Sequence, residues 1–196
     1  MTPVKLRVLQ AAVELLGTKG LRALTHARVD EQASLPKGST SNYFRSRAQL
    51  VTGVSSWITE RELADADDMT TTPQSIAELV ETLAAGIDFL TGPNRSMTAA
   101  RLTLFMEANH NAEIRAAVSR TRNLMEHSVV ASLARLGVED PYPVGLALMA
   151  CCEGIILHRI ARHDTADARP LLQVVVSASP FRKEDASAAP DRVSRG

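Results

Sequence analysis

Apolar side chains recur along this 196-residue chain at the three- and four-residue spacing that gathers them on one face of an α-helix. Leu6, Leu9, Val13 and Leu16 predict a helix over 4–18 that Gly17 weakens and Gly20 ends. Thr25 is placed as an N-cap for a short helix through Val29 and Ala33, and Pro36 opens another over 37–44. Ser46 and Gln49 form a capping box for a rod running from Arg47 to about Ala66, striped by Leu50, Val54, Trp57 and Ile58. A polar break over 67–73 follows, with Thr72-Pro73 read as the next cap. Ile76, Leu79, Val80, Leu83, Ile87 and Leu90 share one face until Gly92-Pro93-Asn94 stops the helix. Met97 to Ala108 is a further helix, and Asn111 caps one whose stripe runs from Ile114 to Leu136. After a loop over 138–143, Val144–Arg162 is apolar nearly all round, which implies burial on several sides.

Asp167–Ala178 is locally ambiguous, because its Val174-Val175-Val176 run also suits a strand. Nothing else in the chain supplies a partner strand, so it is assigned as helix. From residue 179 on, Pro, Ser, Ala and mixed charge without periodicity predict a disordered tail. The expectation is an all-α protein of about nine helices. It divides into a head over 1–48, a helical body over 49–180 and a tail over 181–196.

The helix expected at 37–44 changes the picture. It spans about two turns, roughly 12 Å, and is polar until Tyr43 and Phe44. Its own apolar surface is too small to hold it, so neighbouring elements must present it. Charge points the same way. The net charge is zero, yet residues 1–50 carry eight Lys or Arg (5, 7, 19, 22, 28, 37, 45, 47) against three acids (14, 30, 31), leaving −5 on the remainder. A basic head on an acidic body suits phosphate binding by the head.

Composition adds less. Cys151 and Cys152 are adjacent and alone, which leaves no disulfide framework and fits a reducing cytoplasm. Glu14 and Lys19 interrupt the N-terminal apolar pattern, so no signal peptide is expected. The apolar run Val144–Cys152 is too short to span a bilayer, so no membrane is expected as a partner. No metal-ligand motif or cofactor signature is found; Glu153, His158 and His163 lack the HExxH spacing.

The stretch Thr25–Gln49 resembles the helix-turn-helix of the TetR (tetracycline-repressor-like) family of bacterial transcriptional regulators. That family shows something close to K-G-T-L-Y-H-Y-F before a capped fourth helix. Here Lys37, Gly38, Tyr43 and Phe44 match and Ser39 is close to the usual Thr. Thr40 stands where Leu is common, Ser41 where Tyr is, and Asn42 where His is. The resemblance covers about residues 4–52. It implies a DNA-binding head, a dimer built by the last two helices, and a small molecule bound inside the body that changes the spacing of the two heads.

On this reading Lys37 meets a phosphate at a helix N-terminus that itself favours an anion, and Thr25 both caps and donates to phosphate. Arg28, Ser39, Thr40, Ser41 and Asn42 are the residues expected at base edges, Ser39 and Thr40 ahead of Ser41, with Gly38 permitting close approach. Tyr43, Arg45 and Arg47 are expected on the DNA backbone, and Phe44 in the core. Effector-lining positions implied by the resemblance are Phe89, Phe105, Met106, Asn109, His110, Met125 and Glu153. The Glu153 carboxylate in an apolar stretch needs a partner, and Arg101, Arg122 and His127 are the options. The dimer face is expected at Leu148, Cys152, Ile155, Ile156, Arg159, Leu172 and Val175.

A second copy has its own physical rationale. One short helix gains few contacts, whereas two about 34–36 Å apart read successive half-sites of a palindrome. Three readings follow. The first is a homodimeric repressor released by a small-molecule effector. The second is a DNA-binding regulator controlled by a protein partner instead. The third is an enzyme on a helical scaffold, which the motifs do not favour.

Overall fold

The computed structural model describes residues 1–68 and 72–178. The tail expected at 181–196 lies outside the described residues, as do residues 69–71 of the expected polar break. The architecture is all-α, with eight α-helices and no strand among the described residues. They are α1 Pro3–Lys19, α2 His26–Gln32, α3 Arg47–Asp68, α4 Ile76–Thr91, α5 Arg95–Glu107, α6 Ala112–Arg135, α7 Pro141–Ala161 and α8 Ala168–Ser177.

Local chemistry sets most boundaries. Thr2 caps α1 with Pro3 in its first turn, and Gly20 at φ 74° ends it. Thr25 caps α2 and Asn111 caps α6, both as the sequence predicts. The cap of α4 is Ser75, not Thr72: Ser75 accepts from the Glu78 N–H, and Glu78 accepts from the Gln74 N–H at 2.7 Å. α7 begins at Pro141, inside the predicted loop, because proline suits a first helical turn. α8 is helical because Ala168, Leu172 and Val176, four apart, all face the core.

The helix expected at 37–44 is absent as an α-helix. Residues 37–39 form a turn and Thr40–Asn42 a single 3-10 turn. With so few apolar groups, the segment takes the shape that its tethers impose, not the one that propensity favours.

Two apolar clusters organise the chain. One joins α1, α2 and the first half of α3 to Ala100 and Leu104 of α5, Ala108 just after it and Ile114 of α6. The other gathers α4, α7 and α8 with Val129 and Leu133 of α6. α1 lies directly on α5, and Gly17 is the reason it can: a Cβ there would sit 2.1 Å from the Ser96 carbonyl oxygen. Polar side chains occur among α3, α5 and α6. Thr59 donates to the Ala117 carbonyl at 3.3 Å, and buried Glu62 lies 3.1 Å from the Arg101 Nε.

α7 is long and apolar enough, by length and composition, to cross a bilayer. It packs on α4, α6 and α8, with Leu148, Met149, Cys152 and Ile156 buried and Glu153 ion-paired to Arg122. Both features suit a core helix of a folded body.

Candidate nucleic-acid interface

The head presents residues 36–45 on a frame of tethers, and each tether answers a specific backbone need. α2 ends in a Schellman motif, with the Leu35 N–H donating to the Asp30 carbonyl at 2.8 Å and the Ser34 N–H to the Glu31 carbonyl at 3.0 Å. Ser34 occupies the left-handed position, at φ 52°, where glycine is usual. The Arg7 guanidinium reaches from α1 to the carbonyls of Ala33, at 2.5 Å, and Ser34, at 3.1 Å. The connection between α2 and the reading segment is thereby pinned to α1.

The start of the reading segment is held by a side chain eight residues upstream. Asp30 is buried, and its Oδ2 accepts from the Gly38 N–H at 2.8 Å. Its Oδ1 accepts from the Thr40 N–H at 2.7 Å and the Thr40 hydroxyl at 2.5 Å. Burial on its own would raise the Asp30 pKa. The bonds from Thr40 and Gly38, helped by the nearby His26, outweigh it and hold the carboxyl below the usual carboxylate range. At the far end the His26 Nε2–H donates to the Phe44 carbonyl at 2.7 Å. Phe44 is buried against Gly53 of α3, where a Cβ would come within 2.3 Å of its ring.

This geometry revises several expectations. Thr40 is fully buried, so its side chain does not face a base edge; a hydroxyl where an apolar residue is common needs an internal partner, and Asp30 is that partner. At the N-terminus expected to favour an anion beside Lys37, the N–H groups of Gly38 and Thr40 already donate to the Asp30 carboxylate. Arg47 donates to the backbone carbonyls of Leu21, at 2.7 Å, and Leu24, at 3.2 Å, so it ties α3 to the preceding turn.

The other predicted residues stay at the surface. Arg28, Lys37, Gly38, Asn42, Tyr43 and Arg45 are exposed, and Thr25, Ser39 and Ser41 half-exposed. The Ser39 hydroxyl donates to the Pro36 carbonyl at 2.6 Å, which leaves it lone pairs to offer outward. Arg28, Lys37 and Arg45 make no ion pair among the described residues. Periodicity and motif do not single out Asp30, His26 or Arg7. Thr40 in place of the usual Leu, with an acid on the preceding helix, is the signal that points to Asp30.

The body differs more from expectation. Phe89, Phe105 and Met106 face solvent, and Asn109 and His110 lie in the exposed turn after α5. Phe105 is one residue, about 100°, round from buried Leu104, and Phe89 two from buried Ile87, which turns both off the core faces. Met125 packs against the second cluster, and of the three possible partners Glu153 takes Arg122.

The expected dimer face is also turned inward in large part. Leu148, Cys152, Ile156 and Leu172 belong to the protomer's own core, and Arg159 holds Asp88 at 2.6 Å and the Ala166 carbonyl at 2.8 Å. Ile155 and Val175 are half-buried. On α7 and α8 the large apolar groups that face out are Tyr142, Leu157, Leu171 and Val174, alongside small Ala147, Ala150 and Gly154. Four of the seven residues expected on the dimer face are thus used by the protomer's own core, since an all-apolar helix carries no mark of which face its own body takes.

Residues 8–54 match the family described as "Bacterial regulatory proteins, tetR family", and residues 74–178 match "Tetracyclin repressor-like, C-terminal domain". A comparison with curated protein sequences gives no match. Among solved structures, a TetR transcription regulator from Haloarcula marismortui ATCC 43049 superposes with a TM-score of 0.75 at 17% identity, over 91% of this chain and 99% of that one. A member of the TetR family from Streptomyces coelicolor A3 gives 0.66 at 21% identity, over 92% and 100%. The multidrug binding protein EbrR complexed with ethidium gives 0.65 at 22% identity, over 91% and 99%. At such identities the likeness is one of fold, and the two matched segments carry the assignment. An outward-facing turn tethered to α2, on a helical body matched over residues 74–178, is thus accounted for: the chain belongs to the TetR family of bacterial transcriptional regulators.

Proposed function

We propose that the chain is a cytoplasmic repressor that binds a palindromic operator as a homodimer and leaves it when a small molecule occupies the body. One observation carries the DNA-binding geometry. Residues 37–45 put Lys37, Asn42, Tyr43 and Arg45 outward while Thr40 and Phe44 anchor inward. Short polar groups flanked by unpaired cations suit a backbone laid close to a groove edge. Thr25, Lys37, Tyr43 and Arg45 are assigned to phosphates, and Arg28, Ser39, Ser41 and Asn42 to bases. Two such segments reach successive major grooves if the copies pair through the outward face of α7 and α8, where Leu157, Leu171 and Val174 otherwise meet water.

The effector is assigned to the polar region of the body. The hydroxyls of Ser55 and Thr121 are buried without a protein partner among the described residues, and Met125 and the Arg122–Glu153 pair are also in the body. EbrR, of the same fold, has been solved with ethidium, which supports a ligand-responsive body. One observation favours control by a protein partner instead. Two depressions beside α7, of about 250 and 420 Å³, are open grooves and not closed chambers.

Binding of the full-length protein to duplex DNA across a salt series tests the head. Lys37→Ala is expected to lower affinity for all sequences and to reduce the log–log salt slope by about 1.8, the share of one phosphate from each protomer of the dimer. An unchanged slope removes Lys37 from the interface, and a wild-type protein that ignores duplex DNA at low salt removes the reading. Sedimentation of wild type and Val174→Glu tests the dimer: a dimer that becomes monomeric is expected, and a wild-type monomer refutes it.

A further inference from the structure

The reading segment lacks an N-cap of its own. In a helix the first N–H groups point away from any backbone acceptor and are met by a side chain at the cap position. Here the residue before Thr40 is Ser39, whose hydroxyl is turned to the Pro36 carbonyl and makes no cap bond. The N–H groups of Gly38 and Thr40 are met by Asp30, on a different helix. One carboxylate therefore caps the reading segment and fixes its angle to α2 together. It takes three donors within 2.8 Å, more than a neutral side chain of that size can accept with the same geometry.

The Thr40 hydroxyl adds the third bond, and it is fully buried. Nothing apolar in the segment could replace this hold, since Phe44 anchors only its far end. Resting on the DNA-binding reading above, we propose that Asp30 is the positioning residue for operator recognition. Through Gly38 and Thr40 it sets the pose in which Ser39, Ser41 and Asn42 meet the bases, and it leaves general affinity for DNA to the cations around them.

The two kinds of contact respond differently to pose. Base-edge hydrogen bonds need a fixed register, whereas Lys and Arg reach phosphates from many positions. If the segment adopts the binding pose only part of the time, operator affinity falls by that fraction, and random-sequence affinity hardly changes.

The test selects binding sites from a random duplex pool with the wild-type full chain, then measures wild type, Asp30→Asn and Thr40→Val on the selected duplex and on a scrambled one. Folding is verified by helical circular dichroism at the same temperature. Asp30→Asn is expected to lose about tenfold or more in the ratio of selected to scrambled affinity, the size of one charge-assisted hydrogen bond, with an unchanged salt slope. Thr40→Val is expected to lose less, since two of the three bonds remain.

Asp30→Ala/Thr40→Leu, which fills the site with apolar groups, covers the case in which Asp30→Asn does not fold. It is expected to be folded and to bind DNA with the ratio still reduced. The proposal is overturned if a folded Asp30 variant keeps the wild-type ratio, or if affinity for both duplexes falls together. A wild-type chain that enriches no sequence refutes the DNA-binding reading itself, which is a separate outcome.

Discussion

Gly17→Ala sets two effects of similar size against each other. In an isolated helix the change is favourable by up to about 1 kcal/mol, because alanine loses less backbone entropy than glycine. Here α1 crosses α5 at that residue, and the new methyl would lie 2.1 Å from the Ser96 carbonyl oxygen, with the Ser96 carbonyl carbon at 2.9 Å. The obstacle is backbone inside a helix, so no rotamer change relieves it, and the two helices must part by about 1 Å. Overpacking of this kind costs about 1–3 kcal/mol, and a backbone clash belongs at the upper end. The net expectation is a loss of about 2 kcal/mol, or about 4–8 °C in melting temperature for a chain of this size.

Gly86→Ala is the matched control. Gly86 lies within α4, and a methyl added there would meet nothing within 4 Å, so propensity alone acts and the midpoint should rise. Thermal melts of wild type and both variants, followed by helical circular dichroism at one protein concentration, decide the matter. A Gly17→Ala protein that gains stability as Gly86→Ala does would refute the claim that α1 and α5 meet at backbone contact.

Two further expectations follow from the head. Ser34→Gly should stabilise the protein by about 0.5–1 kcal/mol, since Ser34 sits at φ 52° and glycine removes the left-handed strain; a lower urea midpoint than wild type would count against the turn geometry. The Asp30 carboxyl is depressed in the folded state, so the unfolded chain binds more protons as pH falls. Its contribution is fully present above the ordinary carboxylate range near about 3.9 and is lost as pH drops through the lower folded value. Urea midpoints measured against pH should fall in acid for wild type and less steeply for Asp30→Asn; equal slopes would show that Asp30 is not the group responsible.

The departures from expectation in the head share one cause. Thr25, Asn111 and the Ser46–Gln49 pair act on backbone groups within four residues, so their roles can be read from neighbouring letters. Asp30 acts on Gly38 and Thr40, and Arg47 on Leu21 and Leu24, across separations that adjacency does not encode. Lys37 and Arg45 are expected outside and are outside, because a long cation with no partner goes to water.

Helical class, the order of the elements, most caps and the family of the head follow from the residues alone, because each rests on spacing of a few positions or on a contiguous motif. Folding in three dimensions decided the rest: that the reading segment is a turn hung from α2, that Gly17 is a contact point and not a weakness, and which side of α7 and α8 remains uncovered. Those outcomes depend on which distant group arrives opposite each residue, and a one-residue change of phase on a helix turns a side chain by about 100°. Periodicity names the stripe, but only the packed neighbours name the face.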